Sequence, residues 1–219
     1  VDAIVMHCPI DDKRIATLVT LDVPVLFLQY SHDTIATDSI RTDDALGGYI
    51  ATKHLVELGH TRIACIADNA GSMNYSYRER ENGWRKALTE KGIPVDDRYL
   101  IHSNLCPRGG YASFTELMKL ENPPTAVFCY NDYTAIGAMR AASDLSLRIP
   151  DDVSIVGFDD MDLSKYVVPR LTTVSQPKAE LGVLVFSRVL ERIKDRTIHQ
   201  GKKLLNPELV VRESTRQIV

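Results

Sequence analysis

The chain has 219 residues, 44% hydrophobic and 25% charged, the balance of a globular protein with enough apolar material for a sizeable core, which argues against disorder. Its 26 Lys+Arg against 29 Asp+Glu give a formal net charge of −3. The basic residues are scattered, so the region lacks the charged face that gripping nucleic-acid phosphates requires. No uncharged run approaches the ~18 to 20 residues of a membrane span, which excludes insertion as a helix.

Strand-length apolar runs alternate with helix-period segments along the chain. Residues 3–8 read as a buried strand, 11–21 as a helix with Ile15, Leu18 and Val19 at helical spacing, and 25–29 as a second strand. A helix over 44–58 carries Ala51, Leu55 and Leu58 on one face and stops at Gly59. Then come strand 62–67, helix 77–91 stopped by Gly92, strand 99–102, and helix 109–120 ended by Pro123-Pro124. Strand 126–130, helix 133–145, strand 153–158, helix 178–195 and strand 208–212 complete the series. The polar stretch 31–41 and the proline-bracketed stretch 169–177 read as linkers suited to crossing between two lobes. Alternation of this kind needs crossover connections, so the expected class is α/β, with parallel sheets flanked by helices on both faces.

Such sheets bind ligands beyond the carboxyl ends of their strands. Asp68-Asn69-Ala70-Gly71-Ser72 follows one strand, Asn131-Asp132 a second and Asp159-Asp160 a third, so on a shared sheet they meet at one mouth. Arg80, early in the helix after the first set, is either part of a solvated salt-bridge face or a planar donor fork for vicinal hydroxyls or a carboxylate. Asp132 is expected to cap the next helix. Asn131 is then a turn residue or a ligand amide, Asp160 a turn cap, and Asp159 an acceptor. A donor fork, an amide and a carboxylate suit a sugar, whose hydroxyls each need a donor and an acceptor. A nucleobase or an amino acid stays open on the same grounds.

The motifs GxSxG, HExxH, GxxxxGK[ST] and GxGxxG do not occur, and the six histidines are isolated, so neither catalysis nor a metal or cofactor is expected. The four cysteines, Cys8, Cys65, Cys106 and Cys129, form no metal-ligand spacing. Three lie in or beside apolar runs, which reads as small core residues in a reducing, cytoplasmic compartment.

Six segments carry a resemblance, in order: His54-Leu55-Val56-Glu57-Leu58-Gly59-His60; Arg80-Glu81-Asn82-Gly83-Trp84; Asn131-Asp132 with Ala135-Ile136-Gly137-Ala138; Val153-Ser154-Ile155-Val156-Gly157-Phe158-Asp159-Asp160; Leu171-Thr172-Thr173-Val174-Ser175-Gln176-Pro177; and Pro207-Glu208-Leu209-Val210-Val211-Arg212. Together they resemble the effector-binding core of the lactose-repressor (LacI/GalR) family of bacterial transcription regulators. The resemblance implies a two-lobed fold like that of periplasmic sugar-binding proteins, with residues 1–42 plus 177–204 in the first lobe and 43–176 plus 205–219 in the second. It places the effector between the lobes and assigns its contacts to Arg80, Asn131 and Asp159. Gln176 lies at a lobe crossing, His7 and Gln29 end first-lobe strands, and Leu105 stands where several members put an aromatic ring. The implied function is the effector-binding and dimerisation core of a sugar-responsive repressor, a homodimer that reaches operator DNA through a helix-turn-helix outside this sequence. The family's first strand is absent as well, so an incomplete first lobe is expected. An exported sugar-binding protein of a transport system is the alternative; the cysteines and the 149–160 segment favour the regulator.

Overall fold

A computed structural model describes residues 1–7, 12–31, 37–69, 75–198 and 200–218. Cys8 and the Ala70-Gly71-Ser72 part of the first polar set lie outside the described residues. In chain order the elements are β1 (Ile4–Met6), α1 (Asp12–Val19), β2 (Val25–Leu28), β3 (Asp38–Thr42), α2 (Asp44–Glu57), β4 (Ile63–Asp68), α3 (Tyr75–Glu90), β5 (Leu100–Ser103), α4 (Pro107–Leu117), β6 (Ala126–Cys129), α5 (Asp132–Asp144), β7 (Ser154–Phe158), β8 (Thr172–Ser175), α6 (Lys178–Lys194), β9 (Lys202–Leu205) and β10 (Glu208–Val210). No described helix is long and apolar enough to cross a membrane. The chain divides into two compact units.

One unit takes the described residues of Val1–Asp43 and Pro177–Asn206, together with the start of α3. Its sheet has the order β1-β2-β3-β9, every pair parallel. Successive residues of β2 serve opposite faces, as a strand's period of two requires. Leu26 packs with Ile40, Leu181 of α6 and Leu205, and Phe27 packs with Ile15 of α1 and Tyr30. Helices therefore cover both faces.

The structure corrects the linker reading of 31–41, because residues 38–42 form strand β3. Asp-Ser-Ile-Arg-Thr carries one apolar side chain, so the hydrophobic pattern is silent there. Its acid is instead buried and paired. The Asp38 carboxylate, 2% exposed, accepts from Arg188 Nε at 2.8 Å and from the Gly201 N–H at 2.9 Å, and Arg192 lies 3.2 Å away. Strand β9 is likewise invisible to the hydrophobic pattern, because its first three residues, Lys-Lys-Leu, are exposed at a sheet edge.

The other unit takes the described residues of Asp44–Ala70, Tyr77–Gln176 and Pro207–Val219. Its six-stranded sheet has the order β10-β8-β7-β6-β4-β5, parallel except for β10 against β8. On one face Ile66, Val127 and Ile155 pack with Phe114 of α4 and Ala138 of α5. On the other, Cys65, Phe128 and Val156 pack with Leu55 of α2 and Trp84 of α3. Helices α2 and α3 are followed by Gly59 and Gly92 at φ +92° and +69°, the left-handed termination that glycine allows. Cys65 and Cys129 are buried core residues, whereas Cys106 is exposed before α4.

Residues 172–175, read as a crossing segment, are β8, an interior strand between β7 and β10. Its Thr172 and Thr173 look like loop residues yet are fully buried. The Thr172 N–H donates to Ser214 Oγ at 2.8 Å, and Thr173 Oγ1 donates to Asp132 Oδ1 at 2.6 Å.

Candidate functional site

Because β4, β6, β7 and β8 run parallel, the residues after them emerge at one edge of the six-stranded sheet. Asn69, Asn131, Asp159 and Gln176 all stand there, and α3 brings Arg80 beside them. Arg80 is 6% exposed, so the solvated-face reading is excluded. Its guanidinium carbon lies 3.5 Å from the Phe158 ring centroid and 4.2 Å from that of Tyr130. Nε donates to Asp44 Oδ1 at 2.7 Å and Nη1 to the Tyr130 carbonyl at 2.7 Å, while Nη2 lies 3.7 Å from Asp159 Oδ1. Burial opposes the charge, but Tyr130, Asp44 and Asp159 outweigh it and push the Arg80 pKa above its usual value. Arg80 is thus a fixed cation whose Nη2 side faces Asp159.

The turn after β7 is the most constrained backbone of this edge. Asp159 and Asp160 have φ of +103° and +44°, both in the left-handed region that non-glycine residues avoid. The Asp159 N–H donates to the Val174 carbonyl at 2.8 Å, and its carboxylate accepts from Gln176 Nε2 at 2.6 Å. Asp160, expected as a turn cap, is paired with Arg212 Nη2 at 2.6 Å. Burial raises its pKa, but the Arg212 hydrogen bond and charge, with Ser164, hold its carboxyl below the ordinary value.

Asn131 and Asp132, beyond β6, depart from the parts expected of them. Asn131, not Asp132, is the N-cap of α5, its Oδ1 accepting from the Thr134 N–H at 2.8 Å, while Nδ2 donates to the Leu105 carbonyl at 3.4 Å. Asp132 points into the unit with no exposed surface and accepts from Thr173 Oγ1 and from the Met161 N–H at 2.7 Å. Burial is the main cause of its pKa rising from 3.8 to about 6, against the lowering effect of those two hydrogen bonds. Since the native value exceeds the unfolded one, folding favours the protonated form. The stability that protonation adds is complete below about pH 4 and lost as pH rises through about 6. In urea titrations from pH 4 to 7, wild type should lose roughly 3 kcal/mol relative to Asp132→Asn over that window, because each tenfold change in proton affinity between the folded and unfolded chain is worth about 1.4 kcal/mol. Parallel curves for the two proteins would rule this out.

Arg80, Asp159 and Gln176 therefore form one connected group, tied to Asn131 and Leu105 through the Tyr130 carbonyl and the α5 cap. Gln29 and His7 belong to the other unit. Gln29, at φ +58°, spans the ends of β2 and β3: Nε2 donates to Thr42 Oγ1 at 3.0 Å, and Oε1 accepts from the Thr42 N–H at 2.7 Å. His7 follows β1 and is exposed. Sequence reasoning did not find Asp44, Tyr130 or Phe158 around Arg80. Asp44 reads as an ordinary first-turn acid, and only its distant partner gives it meaning.

A doubly wound ligand-binding core of the periplasmic-binding-protein kind is what this fold and edge define. Over residues 52–215 the chain matches the family model of the periplasmic binding protein-like domain. It is 32% identical over 220 residues to the HTH-type transcriptional repressor PurR of Photobacterium profundum, covering 100% of this chain and 65% of that protein. To the ribose operon repressor of Haemophilus influenzae it is 35% identical over 215 residues, covering 98% of this chain and 64% of the relative. The chain thus spans just under two thirds of these curated relatives. Among solved structures, a LacI family transcriptional regulator from Enterococcus faecium with bound ribose superposes with a TM-score of 0.90 at 32% identity, covering 100% of this chain and 81% of that one. The transcriptional regulator CelR in complex with cellobiose gives a TM-score of 0.90 at 28% identity, covering 98% and 66%. The chain belongs to the LacI/GalR family of transcriptional regulators and corresponds to their effector-binding core.

Proposed function

We propose that the chain is the effector-binding and dimerisation core of a sugar-responsive transcriptional repressor, with Arg80, Asn131, Asp159 and Gln176 as effector contacts, Gln29 and His7 as further contacts, and Leu105 as an apolar wall. The observation that carries this reading is the pinned Arg80 guanidinium beside an Asp159 carboxylate that is itself bridged to Gln176. Donor, acceptor and a two-way amide side by side are what vicinal hydroxyls need. Ribose and cellobiose bound to similar regulators support a carbohydrate. Leu105 offers a smaller apolar surface than an aromatic ring, which favours a compact sugar. Effector binding would shift the core between two states and so bias the DNA-reading segments of a homodimer, with coupling on the order of 1–3 kcal/mol.

Calorimetry with ribose, other monosaccharides and cellobiose tests the reading. At least one monosaccharide should bind saturably at one site per chain. No heat from any sugar of the panel counts decisively against it.

A further inference from the structure

We propose that Asp132 is a positioning residue for the effector site: its buried carboxylate clamps the turn Asp159-Asp160-Met161 in the left-handed backbone conformation that sets Asp159 beside Arg80 and Gln176. This rests on the reading of Asp159 as an effector contact. Two consecutive non-glycine residues at positive φ persist only where their surroundings hold them, and Asp132 supplies such a hold from a different strand connection. Its Oδ2 accepts the Met161 N–H at 2.7 Å, immediately after the strained pair, and its Oδ1 accepts from Thr173 on β8 at 2.6 Å. The Asp160 N–H in turn points at Thr173 Oγ1 at 3.4 Å. One carboxylate therefore ties α5, the turn after β7 and β8 together.

The neighbouring strand is built around that carboxylate. At Gly157, one residue before Phe158, an added Cβ would come within 2.3 Å of Asp132 Oδ1, so the close approach requires glycine there. Other partners of the turn hold other atoms: Val174 takes the Asp159 N–H, Gln176 the Asp159 carboxylate, and Arg212 and Ser164 the Asp160 carboxylate. Met161, where the strained pair ends, is left to Asp132.

The clamp also couples the turn to pH. The charged and titratable groups acting on Asp132 are Asp159 and Asp160 on the turn and Cys129 on β6, with Arg212 neutralising Asp160 from behind. Burial and Asp132 together raise the Cys129 thiol well above its usual value, so it stays neutral. When Asp132 takes up a proton, one of its oxygens becomes a donor and the Thr173 hydroxyl must reverse. Asparagine imitates this protonated form: Oδ1 still accepts from Met161, and Nδ2 donates to Thr173.

The test uses the protein with Asp132→Ala and Asp132→Asn beside it. Two readouts are taken: amide hydrogen exchange at Asp160 and Met161, and ribose affinity by calorimetry from pH 5 to 8. In Asp132→Ala the Met161 amide should exchange at least ~10-fold faster, the loss of one charge-assisted hydrogen bond, and ribose should bind at least ~10-fold more weakly, as 1.4 kcal/mol corresponds to tenfold. Asp132→Asn should restore Met161 protection and bind with a flat profile from pH 5 to 7, while wild-type affinity falls towards that of Asn as the pH drops through about 6. A folded Asp132→Ala protein with wild-type exchange at Asp160 and Met161, or with wild-type ribose affinity at every pH, overturns the proposal. Should wild type bind no ribose or other sugar, the effector reading fails, and the exchange rates still decide whether Asp132 holds the turn.

Discussion

On the proposed reading, Arg80→Ala is expected to impair effector binding and to weaken its own unit at the same time. The lost interaction is a charged donor in a buried site, for which a loss of at least 100-fold in affinity, or about 2.7 kcal/mol, is expected. Removing the cation also strands Asp44, which is almost inaccessible and accepts from Arg80 Nε at 2.7 Å. Breaking a buried pair by removing one partner costs about 3–5 kcal/mol, because the other charge remains without compensation. The two effects separate in a double variant, Arg80→Met with Asp44→Leu. It removes both charges and keeps an apolar fill between the Phe158 and Tyr130 rings, so its stability should return close to wild type while sugar binding stays absent. Urea unfolding gives the first quantity and calorimetry the second. Sugar affinity at the wild-type level in the folded double variant would remove Arg80 from the site.

Asp44→Ala alone is expected to cost as much in stability as Arg80→Ala. Here the orphan is a guanidinium wedged between two rings with its Nε unmatched. A loss of about 3–5 kcal/mol corresponds to a fall of roughly 10 °C in Tm for a chain of this size. Asp44→Asn, which retains an acceptor for Nε, should recover part of that loss, since a neutral acceptor makes a weaker but satisfied bond. Thermal melts of the three proteins order them wild type, Asn, Ala. Equal melting of Asn and Ala would mean that the hydrogen bond contributes nothing beyond the charge.

The element series was legible wherever burial was written in apolar residues. Strands β4, β6 and β7 are nearly continuous hydrophobic runs, and their ends were placed within a residue or so. Strands β3 and β8 are not legible because their buried acid and threonines are held by polar pairing that hydrophobic periodicity cannot register, and β9 because three of its four residues are exposed at a sheet edge. Asp38 needs two arginines from α6, and Thr172 and Thr173 need Ser214 and Asp132. The site shows the same division. The polar sets after three strands pointed to one edge because strand order alone places them there. Spacing alone leans Arg80 towards solvent, against the structure, because its burial is decided by Asp44, 36 residues earlier, and by two rings brought in by other strands. The passing of the cap from Asp132 to Asn131 lies beyond local reasoning altogether. Either side chain can cap a helix, and only the tertiary surroundings offered Asp132 two donors elsewhere.

A cation gripped at Nε and Nη1 and flattened between Phe158 and Tyr130 cannot swivel to meet its guest. Its outward hydrogens point along a single fixed heading, beside an acid whose own backbone is locked. Turning over one hydroxyl of a sugar by inverting a single carbon moves that oxygen off the heading, and neither group can follow it. If the effector is a sugar, as proposed, choosiness among epimers would be a property of stiffness rather than of contact number, and it would loosen as soon as the rings or the gripping acceptors were trimmed.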